Sequence, residues 1–185
     1  VQLENFHPNP TINSCAIRQQ YNLDINKTMF LYVGRIDYEK NLDTLIHAMA
    51  VSDRGDIQLA IAGQGKEITQ LQRLVEELDL HQQVVFIGSI NHNKIPDLLN
   101  CSNVFVMPGC SESFSIATLE AMASAKPVLA AKSAALPELV VHQINGYLFQ
   151  PDKPDDAAVY IQLLADQPEV RERMGESSLA RAQRN

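Results

Sequence analysis

Six short apolar runs set the limits on what this chain can fold into. They occupy residues 29–33, 57–62, 84–87, 104–107, 127–130 and 146–149, and none shows a sustained alternation of apolar and polar positions. A strand with one face in water alternates, whereas a strand covered on both faces is apolar almost throughout. Between the runs, apolar residues recur at helical spacing, as in Leu42, Leu45, Ile46 and Met49, and again in Ile68, Leu71, Leu74, Val75 and Leu78. Helical crossovers between successive strands imply right-handed βαβ units and a parallel sheet. The pattern predicts a Rossmann-like, doubly wound parallel α/β sheet of six strands with flanking helices. Further helices are expected over 13–21, 94–101, 115–125, 136–142, 155–166 and 168–184. Residues 1–26 are polar around Pro8 and Pro10 and read as an opening segment or linker with a short helix; residues 27–185 read as one domain.

Composition removes several function classes. The chain has 185 residues and a formal net charge of −7, which gives no electrostatic case for nucleic-acid binding. No apolar run approaches the roughly 18 residues of a membrane helix, and the first residues lack the features of a signal peptide. The absent initiating Met suggests a fragment or excised domain. Cys15, Cys101 and Cys110 are odd in number and show no CxxC spacing, so neither a disulfide framework nor a zinc site is expected. A reducing, cytoplasmic compartment fits that usage.

In open parallel sheets, ligands bind beyond the carboxyl ends of the strands. The loop over residues 34–41 lacks GxGxxG, which disfavours a dinucleotide site of the usual kind. It carries Arg35 and Lys40, a guanidinium fork and a point charge that suit phosphate oxygens. The alternative is that both simply pair with Asp37 and Glu39 at the surface. Gly63-Gln64-Gly65-Lys66 lacks the spacing of a phosphate-binding P-loop and reads as a tight turn, with Lys66 able to face the same pocket. No acidic cluster follows the first strand where a phospho-receiver domain needs one. The loop over 108–114 places Glu112 before a helix and Glu120 eight residues on, at most about 12 Å along the axis. That exceeds the roughly 5–9.5 Å between glycosidase carboxylates. It suits an elongated polyhydroxylated ligand held at both ends, with helix N–H groups between them. Otherwise Glu112 only favours the helix dipole and Glu120 is solvated. The loop over 131–137 either admits a diphosphate to its backbone or merely packs.

Taken together, "VGRIDYEKNLDTLIHAM", "LAIAGQGKEITQLQRLVEELDLHQQVVFIGSI" and "VFVMPGCSESFSIATLEAMASAKPVLAAKSAALPELV" resemble glycosyltransferase family 4 of the GT-B superfamily. The resemblance covers roughly residues 27–182 and concerns the carboxy-terminal, donor-binding half of such enzymes. It implies a retaining transfer from a nucleoside-diphosphate sugar, with no cofactor and no metal. By the same resemblance Arg35 and Lys40 neutralise the diphosphate and Glu112 contacts the sugar, these three being the catalytic set. Glu120 holds the ribose, Ser89 and Ile90 border the base, and Gly34, Ser113, Phe114, Ser115, Ile116 and Leu119 complete the substrate-binding set. The implied partners are the nucleotide sugar and the amino-terminal acceptor domain of the same enzyme, through which peripheral membrane contact at the cytoplasmic face stays open. The implied products are polysaccharide, glycolipid or cell-envelope glycan.

The chain departs from the family pattern where glycine is usual, at Ser115, Ala125, Ala134 and Ala135. It also departs in "VQLENFHPNP", where an Asn-Gly-Val stretch is usual. The added side-chain atoms either narrow the pocket, alter donor choice or weaken activity. They motivate a second reading, a non-catalytic nucleotide-sugar-binding or partner module, with a GT-B-type sugar-nucleotide epimerase half as a more distant one.

Overall fold

The computed structural model describes residues 3–184; Val1 and Gln2, read above as part of the opening segment, and Asn185 lie outside them. The strands are β1 (Thr28–Val33), β2 (Ile57–Ala62), β3 (Val84–Gly88), β4 (Val104–Met107), β5 (Val128–Ala131) and β6 (Gly146–Phe149). The helices are α1 (Ser14–Gln20), α2 (Leu42–Ser52), α3 (Ile68–Glu77), α4 (Ile95–Cys101), α5 (Ile116–Ala123), α6 (Leu136–Leu139), α7 (Pro154–Asp166) and α8 (Pro168–Ala182). Single 3-10 turns at Tyr38–Lys40 and His92–Lys94 were not legible in the periodicity. All six strands are parallel, in the order β3-β2-β1-β4-β5-β6. The predicted doubly wound α/β sheet is therefore the observed one.

Burial explains the absence of alternation. Every residue of β2, β4 and β5 is buried, with helices on both faces of the sheet. Order reverses between β1 and β4, and the ladder there is short: only Phe30–Val104 and Leu31–Phe105 are in register, against six positions between β1 and β2. The expected helix 115–125 is shorter than foreseen, because Ser115 is its N-cap and the chain leaves the helix at Ser124. The amides of Ala125 and Lys126 donate back to the carbonyls of Met122 and Ala121, which puts Ala125 at the left-handed position of a Schellman ending, φ 55°. Helix 136–142 likewise stops at Leu139.

The opening segment is packed rather than free. Phe6 and Leu23 lie in the hydrophobic core. Asn9 N–H donates to Asn100 Oδ1, and Asn100 Nδ2 to His7 O. Arg18 on α1 is buried, and its five N–H groups all donate: two to Cys101 O, one each to Asp24 O and Lys27 O, and one to Asn103 Oδ1. The same Asn103 oxygen accepts from Met29 N–H, so one guanidinium ties α1 to the feet of β1 and β4.

Candidate active site

The loops at the carboxyl ends of β1, β4 and β5 converge. Gly63 and Gly65 let the β1 and β2 loops touch. At Gly63, φ +149°, a Cβ would lie 1.8 Å from Gly34 O, and at Gly65 one would lie 2.0 Å from Ile36 O. Through this contact Gly34 N–H donates to Ala62 O and Ile36 N–H to Gln64 O. The segment Gly63-Gln64-Gly65 is therefore not the tight turn its spacing implied: it runs as irregular backbone bonded to the β3 and β1 loops, and the turn into α3 falls at Lys66-Glu67. Lys66 is exposed, its amide 3.5 Å from Asp37 Oδ1.

From this platform the 3-10 turn Tyr38–Lys40 carries Lys40 across to the β4 loop. Lys40 Nζ lies 2.5 Å from Glu112 Oε1, with side-chain exposures of 15% and 12%. This corrects one alternative for Lys40: it does not pair with Asp37 or Glu39. Arg35 does pair with both, at 2.8 and 3.1 Å, and its side chain is 70% exposed. Backbone bonds lock the same junction. Cys110 N–H donates to Glu39 O, Ala135 N–H to Glu112 O, and Ser133 Oγ–H to Cys110 O.

Helix α5 starts at this junction. Its opening amides, those of Ile116, Ala117 and Thr118, lie where a helix offers no internal acceptor. Ser115 does not cap them, because its buried hydroxyl is 2.8 Å from that of Thr118. The first turn carries no acidic residue. Ser113, Phe114 and Ile116 are exposed beside these amides, Phe114 to 57%. Leu119 differs: it is 4% exposed and packs in the core, so its side chain does not line the surface.

Glu120 is buried one helical turn further in, and burial pushes its carboxyl up from the usual range, partly countered by His92. His92 Nε2 lies 3.8 Å from Glu120 Oε1. That contact brings the loop after β3, with exposed Ser89 and half-buried Ile90, to the α5 helix. His92 is the residue that sequence reasoning missed. Only its place one turn after Ser89 and Ile90 hinted at it.

Two of the positions where glycine is usual hold alanine in left-handed backbone, Ala125 (φ 55°) and Ala134 (φ 49°). Ala135 (φ −81°) and Ser115 (φ −88°) do not need glycine's freedom. A cavity of about 560 Å³ lies not at these loops but at the opposite end of the sheet.

A doubly wound parallel sheet of six strands with flanking helices is the architecture of a GT-B carboxy-terminal domain. The chain belongs to the glycosyl transferases group 1 family, whose model matches residues 14–181. It is 34% identical over 142 residues to an uncharacterized glycosyltransferase, MJ1607, of Methanocaldococcus jannaschii, covering 76% of this chain and 36% of that protein. Sucrose-phosphate synthase from Thermosynechococcus elongatus superposes with a TM-score of 0.88 at 30% identity, over 100% of this chain and 46% of that one. The C-terminal domain of a glycosyl transferase group 1 family protein (LpcC) from Francisella tularensis gives a TM-score of 0.87 at 26% identity, over 100% of this chain and 97% of that one. The chain thus spans less than half the length of the full-length proteins among these.

Proposed function

We propose that this chain is the donor-binding domain of a retaining glycosyltransferase that moves a hexose-type sugar from a nucleoside-diphosphate sugar to an acceptor. The observation that carries this reading is the Lys40–Glu112 pair at the mouth of the α5 amino end. A diphosphate docked on those amides meets the Lys40 ammonium and the helix dipole together. Arg35 reaches it by leaving Asp37 and Glu39, a small loss because exposed ion pairs contribute only about 0–1 kcal/mol. Glu112 accepts from sugar hydroxyls, and Glu120 accepts from ribose hydroxyls.

The bond between the anomeric carbon and the diphosphate oxygen breaks with its electron pair going to the leaving diphosphate, an acceptor hydroxyl oxygen bonds the same carbon, and the hydroxyl proton passes to the departing diphosphate. Its charge grows toward the transition state, so fixed cations stabilise that state more than the bound substrate. Arg and Lys supply the positive charge, so the transfer needs no metal and no cofactor. The amino-terminal domain supplies the acceptor contacts, and without it this domain binds donor but transfers little. The acceptor is a polysaccharide, glycolipid or cell-envelope glycan, made in the cytoplasm or at the cytoplasmic face of a membrane. Sucrose-phosphate synthase and the glycosyltransferase MJ1607 lend support to a sugar-transfer role by their names.

Calorimetric titration with UDP, GDP, ADP and dTDP and their sugar conjugates, with chelator present, tests this reading. Saturable binding of one base class at millimolar to micromolar Kd, about −4 to −8 kcal/mol, and its loss in Lys40→Met are expected. Binding unaffected by that substitution contradicts it. A second reading, a non-catalytic partner module, is favoured by left-handed Ala134, whose methyl sits on the loop bonded to Glu112. It predicts no binding by any nucleotide, and full function of the complete protein after Glu112→Ala.

A further inference from the structure

The 560 Å³ cavity lies at the amino ends of β1, β4 and β5, the end of the sheet away from the donor loops. Strands of four to six residues at about 3.3 Å per residue separate the two ends by roughly 13–20 Å. Arg18, Lys27, Lys126 and Arg171 line it, and no Asp or Glu does. In a chain of formal charge −7, that is a marked segregation of charge. Among the described residues, none of the four cations has a carboxylate within ion-pair distance; their partners are carbonyl and amide oxygens.

Part of this has a structural account. Lys126 Nζ donates to Asn100 O and Ser102 O at the carboxyl end of α4. Arg171 Nη1 donates to Leu164 O and Ala165 O at the carboxyl end of α7. Cations suit both places. That explains each cation singly, but not the hollow they share. Donor accounting separates them further. All the N–H groups of Arg18 are engaged, so it contributes charge alone. Lys27 turns its ammonium to Gln82 O, which lines a separate hollow with Gln58, His81 and Val85. Lys126 keeps one of its three ammonium protons, and Arg171 keeps Nε and Nη2.

We infer that this cavity is a second anion site, independent of the donor loops, which takes a phosphate group borne by a small molecule or a lipid through Lys126 and Arg171. Its volume lies within the range of small-molecule pockets, about 300–1,000 Å³. The ligand brings the negative charge that the cavity wall lacks, and it meets donors already oriented by their carbonyl bonds. Burial, with Arg18 adding to it, pushes the Lys126 ammonium down to about 8, and a bound anion reverses that push.

The test is calorimetric titration of this chain with inorganic phosphate and pyrophosphate. Three variants are compared after thermal melting has checked their fold: Arg171→Gln, Lys126→Met and, at the other end, Lys40→Met. Arg171 is half-buried and bonds carbonyls at a helix end, so Arg171→Gln is expected to fold. Saturable binding with Kd of about 1 mM or tighter is expected. It should persist in Lys40→Met and weaken at least tenfold in Arg171→Gln or Lys126→Met. Cosedimentation with phosphatidylcholine vesicles carrying phosphatidic acid is the second arm. Arg171-dependent binding there, without response to free phosphate, retains the site and assigns it a lipid phosphate. No binding in either arm overturns the inference. So does binding that only Lys40→Met abolishes, or binding indifferent to both Arg171→Gln and Lys126→Met.

Discussion

Lys40 and Glu112 are 72 residues apart in sequence, and Lys40 Nζ lies 2.5 Å from Glu112 Oε1. The pair joins the two loops that flank the point where strand order reverses, and both side chains are largely shielded from water. Each satisfies the other before any ligand arrives. The carboxylate therefore works against a diphosphate at Lys40 but in favour of a hydroxylated sugar.

That opposition gives a prediction with two signs. Glu112→Gln frees the ammonium and removes a negative charge beside the diphosphate. The nucleoside diphosphate alone should bind about three- to tenfold more tightly, roughly 0.7–1.4 kcal/mol, while the added affinity from its sugar disappears. Lys40→Met should weaken both ligands at least about tenfold. Calorimetry on the two variants with nucleotide and nucleotide sugar checks both signs.

Glu120 carries a buried carboxylate with an elevated pKa and His92 as its near ionic neighbour. A carboxyl whose folded pKa is raised loses stability as pH rises through the unfolded value of about 4.5 toward the folded one. Glu120→Gln removes this loss. The variant should melt higher than the parent at pH 7, with the difference vanishing toward pH 4, and it should bind nucleotide more weakly. A variant that melts lower at pH 7 contradicts this account.

Ala134→Gly and Ala125→Gly should each stabilise the fold. Left-handed backbone costs an alanine about 1–2 kcal/mol, and glycine's greater freedom in the unfolded chain takes back about 0.5–1 kcal/mol. The net gain of roughly 0.5–1 kcal/mol should appear as a rise in Tm of about 1–4 °C. The reverse holds at Gly63, where Gly63→Ala meets the Gly34 carbonyl at 1.8 Å. That substitution should cost about 3 kcal/mol or more, measured by urea unfolding, and should abolish nucleotide binding.

Lys126 gives a window at alkaline pH. Its folded value is pushed down to about 8 from 10.5, so between those values the unfolded chain holds more protons at this position. Its contribution to stability is complete above pH 10.5 and is lost as pH falls through 8. Cys101 and Tyr32, both pushed up, act in the opposite direction over alkaline pH. Subtracting the urea stability curve of Lys126→Met from that of the parent isolates Lys126. The difference should move in favour of the parent from pH 8 to 10.5.

Uniform burial wrote the sheet into the sequence: strands covered on both faces leave runs such as 29–33 and 104–107 that read as nothing else. The loop residues were legible as types, but their pairings were not. Nothing in the spacing of Arg35 and Lys40 says that one turns outward to Asp37 and Glu39 while the other crosses to Glu112. The 3-10 turn at Tyr38–Lys40 makes that division, and three residues carry no periodicity. The spacing places Ser115 as the first residue of the helix; that it stands just before it as the N-cap, its hydroxyl turned to Thr118, is not legible there. His92 escaped because its relation to Glu120 passes through the sheet order, bringing a β3 loop to a helix that follows β4.

The short ladder between β1 and β4 has a mechanical consequence. The two three-stranded halves are therefore joined largely by what lies off the sheet. Helix α2 of one half packs against α7 of the other, and Asn41 Nδ2 donates to Asp152 Oδ1 between them. The Arg18 guanidinium fastens the foot of the seam, and Cys110 N–H on Glu39 O fastens its top beside Lys40 and Glu112. Whatever separates that lysine from that glutamate does so on a junction whose backbone is already clamped from both ends.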